Sequence, residues 1–244
     1  MELTTIGYWG AYPEANEATS CYLVQEDDTN ILLDCGSGAL AKLQNQIKLE
    51  ELDAVFISHT HTDHMADIYS LEYAMLIKTQ LGIRTKPLDV YIYSEDIDAL
   101  SFEYPEIMRI HQIDLSASIT IGPLQITFAD NLHEIPCCAM KIVNEKKSAL
   151  VYTADTGYTD KIVEFAMDAD LLLVECSFYQ AQQGVVKGHM NTTDVGNIIT
   201  RSKPAEVIIT HFPHFGQISK LADEIYTICN KKVQMACEGL SITI

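Results

Sequence analysis

The segment His59-Thr60-His61-Thr62-Asp63-His64 puts three imidazoles and a carboxylate within six positions, directly behind the apolar run Ala54-Val55-Phe56-Ile57. A short β-branched and aromatic run reads as a buried strand. The fold must therefore bring that strand's end, with its cluster, to one point. Neutral imidazoles and a carboxylate are ligands for zinc or a similar divalent ion. In an extended segment, residues i and i+2 point the same way, so His59 and His61 can share one ion. Asp63 and His64 lie slightly further along and can reach a second. A turn rich in Ser, Thr, Asp and His is also ordinary loop chemistry, so the reading depends on matching ligands elsewhere.

Three further segments supply them. Leu124-Gln-Ile-Thr-Phe128 alternates and runs into His133. Ala149-Leu-Val-Tyr-Thr153 runs into Asp155, and Val207-Ile-Ile-Thr210 runs into His211. Each is a strand-like run followed by one metal-competent side chain. Four such strand ends on one rim would form a pocket. The stretches Asp53–His59 and Glu206–His211 resemble each other, which suggests two related halves.

The chain reads as one continuous domain, without Gly-Ser or Pro-rich linkers or low-complexity runs. Strands are expected at 3–8, 20–25, 30–34, 54–57, 89–93, 118–121, 124–129, 138–143, 148–153, 171–175, 206–210 and 232–235. Helices are expected at 38–47, 64–81, 95–102, 159–168, 192–201 and 219–229. Met65, Ile68, Leu71, Ala74, Met75 and Leu81 give the helix after the motif its apolar face, and Gly82 is a natural stop. Helices alternating with strands argue for sheets covered by helices.

The ligand order His59-x-His61-x-Asp63-His64, His133, Asp155, His211 resembles that of the metallo-β-lactamase superfamily hydrolases, and the likeness covers nearly the whole chain. It implies an α/β fold, the four-layer αβ/βα sandwich of two mixed β-sheets flanked by helices, in a single domain over residues 1–244. Gly188-His-Met-Asn-Thr-Thr193 is similar to the Gly-His-x-Thr-type segment of the ribonuclease Z-like branch. Gly7-Tyr-Trp-Gly-Ala-Tyr-Pro13, Leu32-Leu-Asp-Cys-Gly-Ser-Gly38, Leu172-Leu-Val-Glu175 and Thr210-His-Phe-Pro-His214 resemble that branch too.

Seven ligands suit two divalent ions, zinc first, with manganese or iron as alternatives. His59, His61 and His133 would hold one ion. Asp63, His64 and His211 would hold the other, and Asp155, having two oxygens, would bridge them. Such a pair can share a hydroxide nucleophile and polarise a substrate oxygen, and Asp63 would orient that hydroxide. His189 is spare once the seven are assigned. In the branch that this chain resembles, the equivalent histidine acts near the leaving group, a role that imidazole suits near neutral pH. Glu175, at a strand end, would orient it. His214 either lines the pocket or sits in a loop, and His111 reads as structural.

Charge bears on the substrate. The chain has 34 acidic and 16 basic side chains and a net charge of −18. Phosphate contacts dominate nucleic-acid affinity, so a tRNA processor should carry a basic surface. The tRNA-binding arm of ribonuclease Z enzymes is inserted between the third ligand segment and the bridging aspartate. Between His133 and Asp155 this chain has room only for two strands and a turn. Stable tRNA binding is therefore not expected.

The function read from the sequence is a dinuclear metal-dependent hydrolase, a phosphodiesterase acting on a small or short, flexible phosphodiester through a metal-bridging hydroxide. Hydrolysis of an ester, thioester or lactone on the same ions is the alternative. A non-catalytic metal sensor or partner-binding protein is the alternative of another class. No run of eighteen apolar residues is present, so no membrane span is expected. The start lacks the basic and apolar regions of a signal peptide. Seven scattered cysteines without C-x-x-C read as reduced thiols, hence a cytoplasmic protein. The oligomeric state stays open, a homodimer included.

Overall fold

The strand in front of the histidine motif, β4 (Ala54–Ile57), is buried along its whole length in the computed structural model, which describes residues 1–244. Burial on both faces explains why the run is apolar without alternation. The chain gathers into two compact units, Met1–Asp114 with Cys237–Thr243, and Leu115–Ala236. Each holds one seven-stranded mixed sheet.

In the first unit, β1 (Glu2–Gly7), β2 (Cys21–Glu26) and β3 (Thr29–Leu33) form an antiparallel meander. Strands β3, β4, β5 (Leu88–Ile92) and β6 (Met108–Gln112) then run parallel. Helices α1 (Ala39–Leu43), α2 (Thr62–Met65) and α3 (Ile68–Gln80) belong to this unit. Ile68, Leu71 and Met75 of α3 pack into a buried cluster with Leu32, Val55, Ile57 and Val90.

The second unit repeats the succession. β7 (Ile119–Ile121), β8 (Leu124–Asp130), β9 (Cys138–Val143) and β10 (Ala149–Tyr152) are antiparallel neighbours. β10, β11 (Leu171–Glu175), β12 (Glu206–Thr210) and β13 (Gln234–Met235) run parallel. Helix α4 (Asp160–Phe165) is capped by Thr159, whose side chain accepts from the Ile162 N–H. Helix α5 (Thr192–Ser202) starts on a capping box: Asn191 Oδ1 accepts from Thr193 and Asp194, and Asp194 accepts from the Asn191 N–H. Those bonds satisfy the orphan donors of the first turn, and they fix the chain immediately after His189. Helix α5 packs closely on α6 (Ser219–Cys229), where a Cβ on Gly196 would meet Ile228 at 2.6 Å. No helix is long and apolar enough to cross a membrane.

Four expectations need correction. The helix over 64–81 is two helices, α2 and α3, parted at Ala66-Asp67. Asp67 is engaged away from a continuous helix: its N–H donates to the Cys35 carbonyl, and its carboxylate accepts from the Leu40 N–H. The helix over 95–102 is a single 3₁₀ turn, Ile97–Ala99, because three acidic residues, Glu95, Asp96 and Asp98, and a local bond from the Asp96 N–H to Ser94 Oγ leave too little apolar pattern to extend it. The helix over 38–47 stops at Leu43. Strands β6 and β14 (Ser241–Thr243) were not anticipated. Both are edge strands, and edge positions tolerate the polar residues Arg109, His111, Gln112 and Ser241, which hide the pattern.

Candidate metal centre

Strand β4 ends in Ser58 and His59, and the chain then turns through His61 into α2, so Asp63 and His64 come from its first turn. Within the first unit these side chains converge. His59 Nε2 lies 3.1 Å from His61 Nδ1, with ring centroids 4.8 Å apart. His64 Nε2 lies 3.7 Å from Asp63 Oδ2, and Asp63 Oδ2 accepts from the Ala11 N–H at 2.8 Å. A Cβ on Gly36 would fall 2.1 Å from the Asp63 carbonyl oxygen, so only glycine lets the loop after β3 come this close.

Asp34, just past β3, organises this group. Its Oδ2 is 2.7 Å from His64 Nδ1, and its Oδ1 accepts from the Ser58 N–H at 2.7 Å. Asp34, Ser58, His59 and His64 are all fully buried.

The second unit gathers its own set. His133 follows β8, and Asn131 ties that exit to the neighbouring loop by donating to the carbonyls of Thr153 and Asp155. His133 Nδ1 lies 3.0 Å from the Gly188 carbonyl, which fixes the orientation of the ring. Asp155 follows β10 and is 2% exposed. Its Oδ2 lies 3.3 Å from His211 Nε2, 4.0 Å from His133 Nε2 and 4.0 Å from His189 Nδ1. Glu175, at the end of β11, places Oε1 3.0 Å from His189 Nδ1 and accepts from the Thr156 N–H with the same oxygen. His189 also stacks on His211, with ring centroids 5.4 Å apart.

Backbone strain collects at these turns. Ala11, Asp34, Ala154 and His211 all have positive φ, at 61°, 57°, 50° and 59°. Such conformations cost non-glycine residues of order 1–3 kcal/mol and persist where surrounding contacts over-determine them, characteristically at functional sites.

Burial of the His189 ring works against its charge. The Glu175 charge and hydrogen bond, with Asp155 and Glu134 behind them, outweigh that and raise its pKa from 6.5 to about 9. In the metal-free chain these carboxylates favour the charged form of the ring at neutral pH. His111 stands apart, paired with Asp89 at 2.7 Å and stacked on Tyr91, and so fills the structural place expected of it. His214 is half-buried.

The donor chemistry fits divalent metal. Each unit offers imidazole nitrogens beside a carboxylate, and the opposite ring nitrogen is bonded in His59, His64, His133 and His211. That is the arrangement which orients histidine ligands. Asp34, Ser58 and Ser177 were not singled out as site residues from the sequence. The available signal was an aspartate directly behind an apolar strand and before Cys-Gly-Ser-Gly, a place where the chain must turn.

A family model described as the beta-lactamase superfamily domain matches residues 29–212, well over half of the chain. The chain belongs to the metallo-β-lactamase superfamily. This superfamily member is 40% identical over 240 residues to the probable metallo-hydrolase YhfI of Bacillus subtilis (strain 168), covering 98% of both chains. The crystal structure of YhfI matches with a TM-score of 0.94 at 38% identity, covering 99% of this chain and 98% of that one. The mitochondrial ribonuclease Z 2 of Schizosaccharomyces pombe is 25% identical over 257 residues, which are 98% of this chain and 38% of that protein. The short form of human tRNase Z matches with a TM-score of 0.78 at 20% identity, over 100% and 99% of the two chains, a likeness of fold. The two seven-stranded mixed sheets flanked by helices are thus those of the metallo-β-lactamase fold, in its ribonuclease Z-like branch, and the chain is a metallo-hydrolase.

Proposed function

We propose that this metallo-hydrolase is a phosphodiesterase acting on a small or short, flexible phosphodiester. The observation that carries the reading is His189: a cationic imidazole, held through Nδ1 by Glu175 and next to Asp155. A leaving alkoxide needs a proton donor, and a positioned imidazolium is one.

His59, His61 and His133 would hold one divalent ion, Asp63, His64 and His211 the other, with Asp155 between them. Zinc suits the imidazole-rich set, and manganese or iron would also fit. Bound ions supply a water acidified from a pKa of about 15.7 to about 7, and a positive field for the phosphoryl oxygens. The chain's own residues do the rest. Asp63, braced by the Ala11 N–H, orients the attacking water. With Nδ1 committed to Glu175, His189 gives the proton on Nε2 to the departing oxygen as its bond to phosphorus breaks. Glu175 keeps the ring aimed before and after transfer.

Acidity and the short connection from His133 to Asp155, filled by the hairpin β9–β10, favour substrates smaller than tRNA. Precursor tRNA should bind weakly and its 3′ end should not be processed at a useful rate. Efficient processing at physiological salt would overturn that part. Seven free cysteines, five of them buried, support a cytoplasmic setting.

The test is elemental analysis of protein purified without chelator, followed by turnover of bis-(p-nitrophenyl) phosphate and of a panel of phosphodiesters, lactones and thioesters. Close to two ions per chain and preference for phosphodiesters are expected. Metal near zero with activity intact after chelation would sink the metal reading. Preference for lactones or thioesters would move the substrate class to carboxylic esters, and metal without any turnover would mark a sensor or binding protein.

A further inference from the structure

We infer that Ser58 and Ser177 select the ring tautomers of the histidine ligands His59 and His211. The inference rests on the assignment of those two imidazoles as metal ligands.

A serine hydroxyl has one hydrogen and two lone pairs. Ser58 Oγ lies 2.9 Å from Asp34 Oδ2 and 3.0 Å from His59 Nδ1. Ser177 Oγ lies 2.5 Å from Glu175 Oε2 and 2.9 Å from His211 Nδ1. It also lies 3.3 Å from the His211 carbonyl oxygen. An ionised carboxylate only accepts, and bonds to it are the shorter and stronger ones. Each hydroxyl hydrogen therefore goes to its carboxylate, and the uncharged carbonyl at 3.3 Å does not compete. The imidazole is left facing an oxygen lone pair, which only an N–H at Nδ1 can use. The proton is held on Nδ1 and the lone pair is placed on Nε2.

The nitrogen freed in this way is the one facing other ligand atoms. His59 Nε2 is the atom 3.1 Å from His61 Nδ1, and His211 Nε2 is the atom 3.3 Å from Asp155 Oδ2. The same carboxylate–hydroxyl–imidazole chain thus occurs once in each unit. Ser58 is fully buried and Ser177 is 7% exposed, so bulk water does not take over the role. Neither serine touches reacting atoms, and both are positioning residues. A free neutral imidazole populates either tautomer. Without the hydroxyl, part of the population would present an N–H where a ligand lone pair is required.

The experiment uses the metal-stripped full-length chain and its Ser58→Ala, Ser177→Ala, Ser58→Thr and Ser177→Thr variants. Ring ¹⁵N–¹H spectra report the tautomers directly, and competition with a chelator reports zinc affinity. In the unmodified chain His59 and His211 should carry the proton at Nδ1. Each alanine variant should show a mixed tautomer at its own histidine and bind zinc about 10–100-fold more weakly, with the far serine's histidine unchanged. The threonine variants keep the hydroxyl and should restore both readouts. Alanine variants that bind zinc as the unmodified chain does, with Nδ1 still protonated, would overturn the inference. An unmodified chain that binds no zinc would instead remove the ligand assignment beneath it. If alanine does not fold, cysteine replaces it. A thiol is a poor donor and should lower affinity relative to threonine, and equal affinities would count against the relay.

Discussion

Asp34 in the first unit and Glu175 in the second each clasp one histidine directly and a second through a serine, yet the two histidines held directly end in different surroundings. The His64 side chain, on Asp34, is 0% exposed, whereas that of His189, on Glu175, keeps 18% of its surface. The far nitrogen of His64 faces Asp63 at 3.7 Å. His189 keeps part of its ring open to solvent. A carboxylate–imidazole pair is therefore not by itself a ligand or an acid. What the far ring nitrogen faces decides which it becomes. On the proposed assignment, the ring sealed among other ligands would be the metal donor, and the ring left reachable and protonated would be the proton donor.

Four measurements would break or sharpen that contrast. The largest effect is expected at the carboxylate proposed to serve both ions. Asp155→Ala should lose bound metal and all activity together, read by elemental analysis and turnover, and full metal content in this variant would rule out its bridging place. Next, His189→Ala should keep its metal while turnover of poor leaving groups falls about 10²–10⁴-fold, roughly 3–5 kcal/mol of barrier. An activated p-nitrophenolate leaving group needs little protonation and should lose far less. His64→Ala should do the reverse and lose metal first. Equal losses on both kinds of leaving group would make His189 a ligand or a substrate-positioning residue.

The third effect is one of pH. His189 has a folded pKa of about 9, above the 6.5 of an unperturbed histidine. Its pairing with Glu175 thus stabilises the metal-free chain fully below about pH 6.5, and that stability is lost as pH rises through 9. The decline should amount to about 1–3 kcal/mol in denaturant unfolding, and Glu175→Gln should flatten it. An unchanged slope in that variant would mean another group carries the titration. The smallest effect is a control. Thr159→Ala removes the α4 cap in the second unit and should cost about 1 kcal/mol, with metal content and turnover unaltered. A loss of metal there would show that the second clasp answers to general loosening of its unit.

Much of the candidate site is legible because ligand chemistry leaves a residue-type signature. His59, His61, Asp63 and His64 sit behind a strand whose apolar run is unmistakable, and His133, Asp155 and His211 each follow another. The strands that carry them were placed within a residue or two, because buried parallel strands are continuous apolar runs. Asp34, Ser58 and Ser177 escaped notice because serine and aspartate at strand ends are the common currency of turns. Only their distances to an imidazole distinguish them. The break between α2 and α3 was hidden for a related reason. Asp67 is compatible with a helix by itself, and what stops the helix is its bond to Leu40, distant in sequence.

The last strand, β14, pairs with β1 at the edge of the first sheet: Glu2, Leu3 and Thr4 lie opposite Thr243, Ile242 and Ser241. During synthesis the outer edge of β1 therefore has no neighbour until Ser241–Thr243 have also been made. At about 5–20 residues per second that interval is roughly 10–50 s. Throughout it, the nascent protein carries an open β edge able to pair with another chain, and the first unit to be translated is the last whose sheet closes.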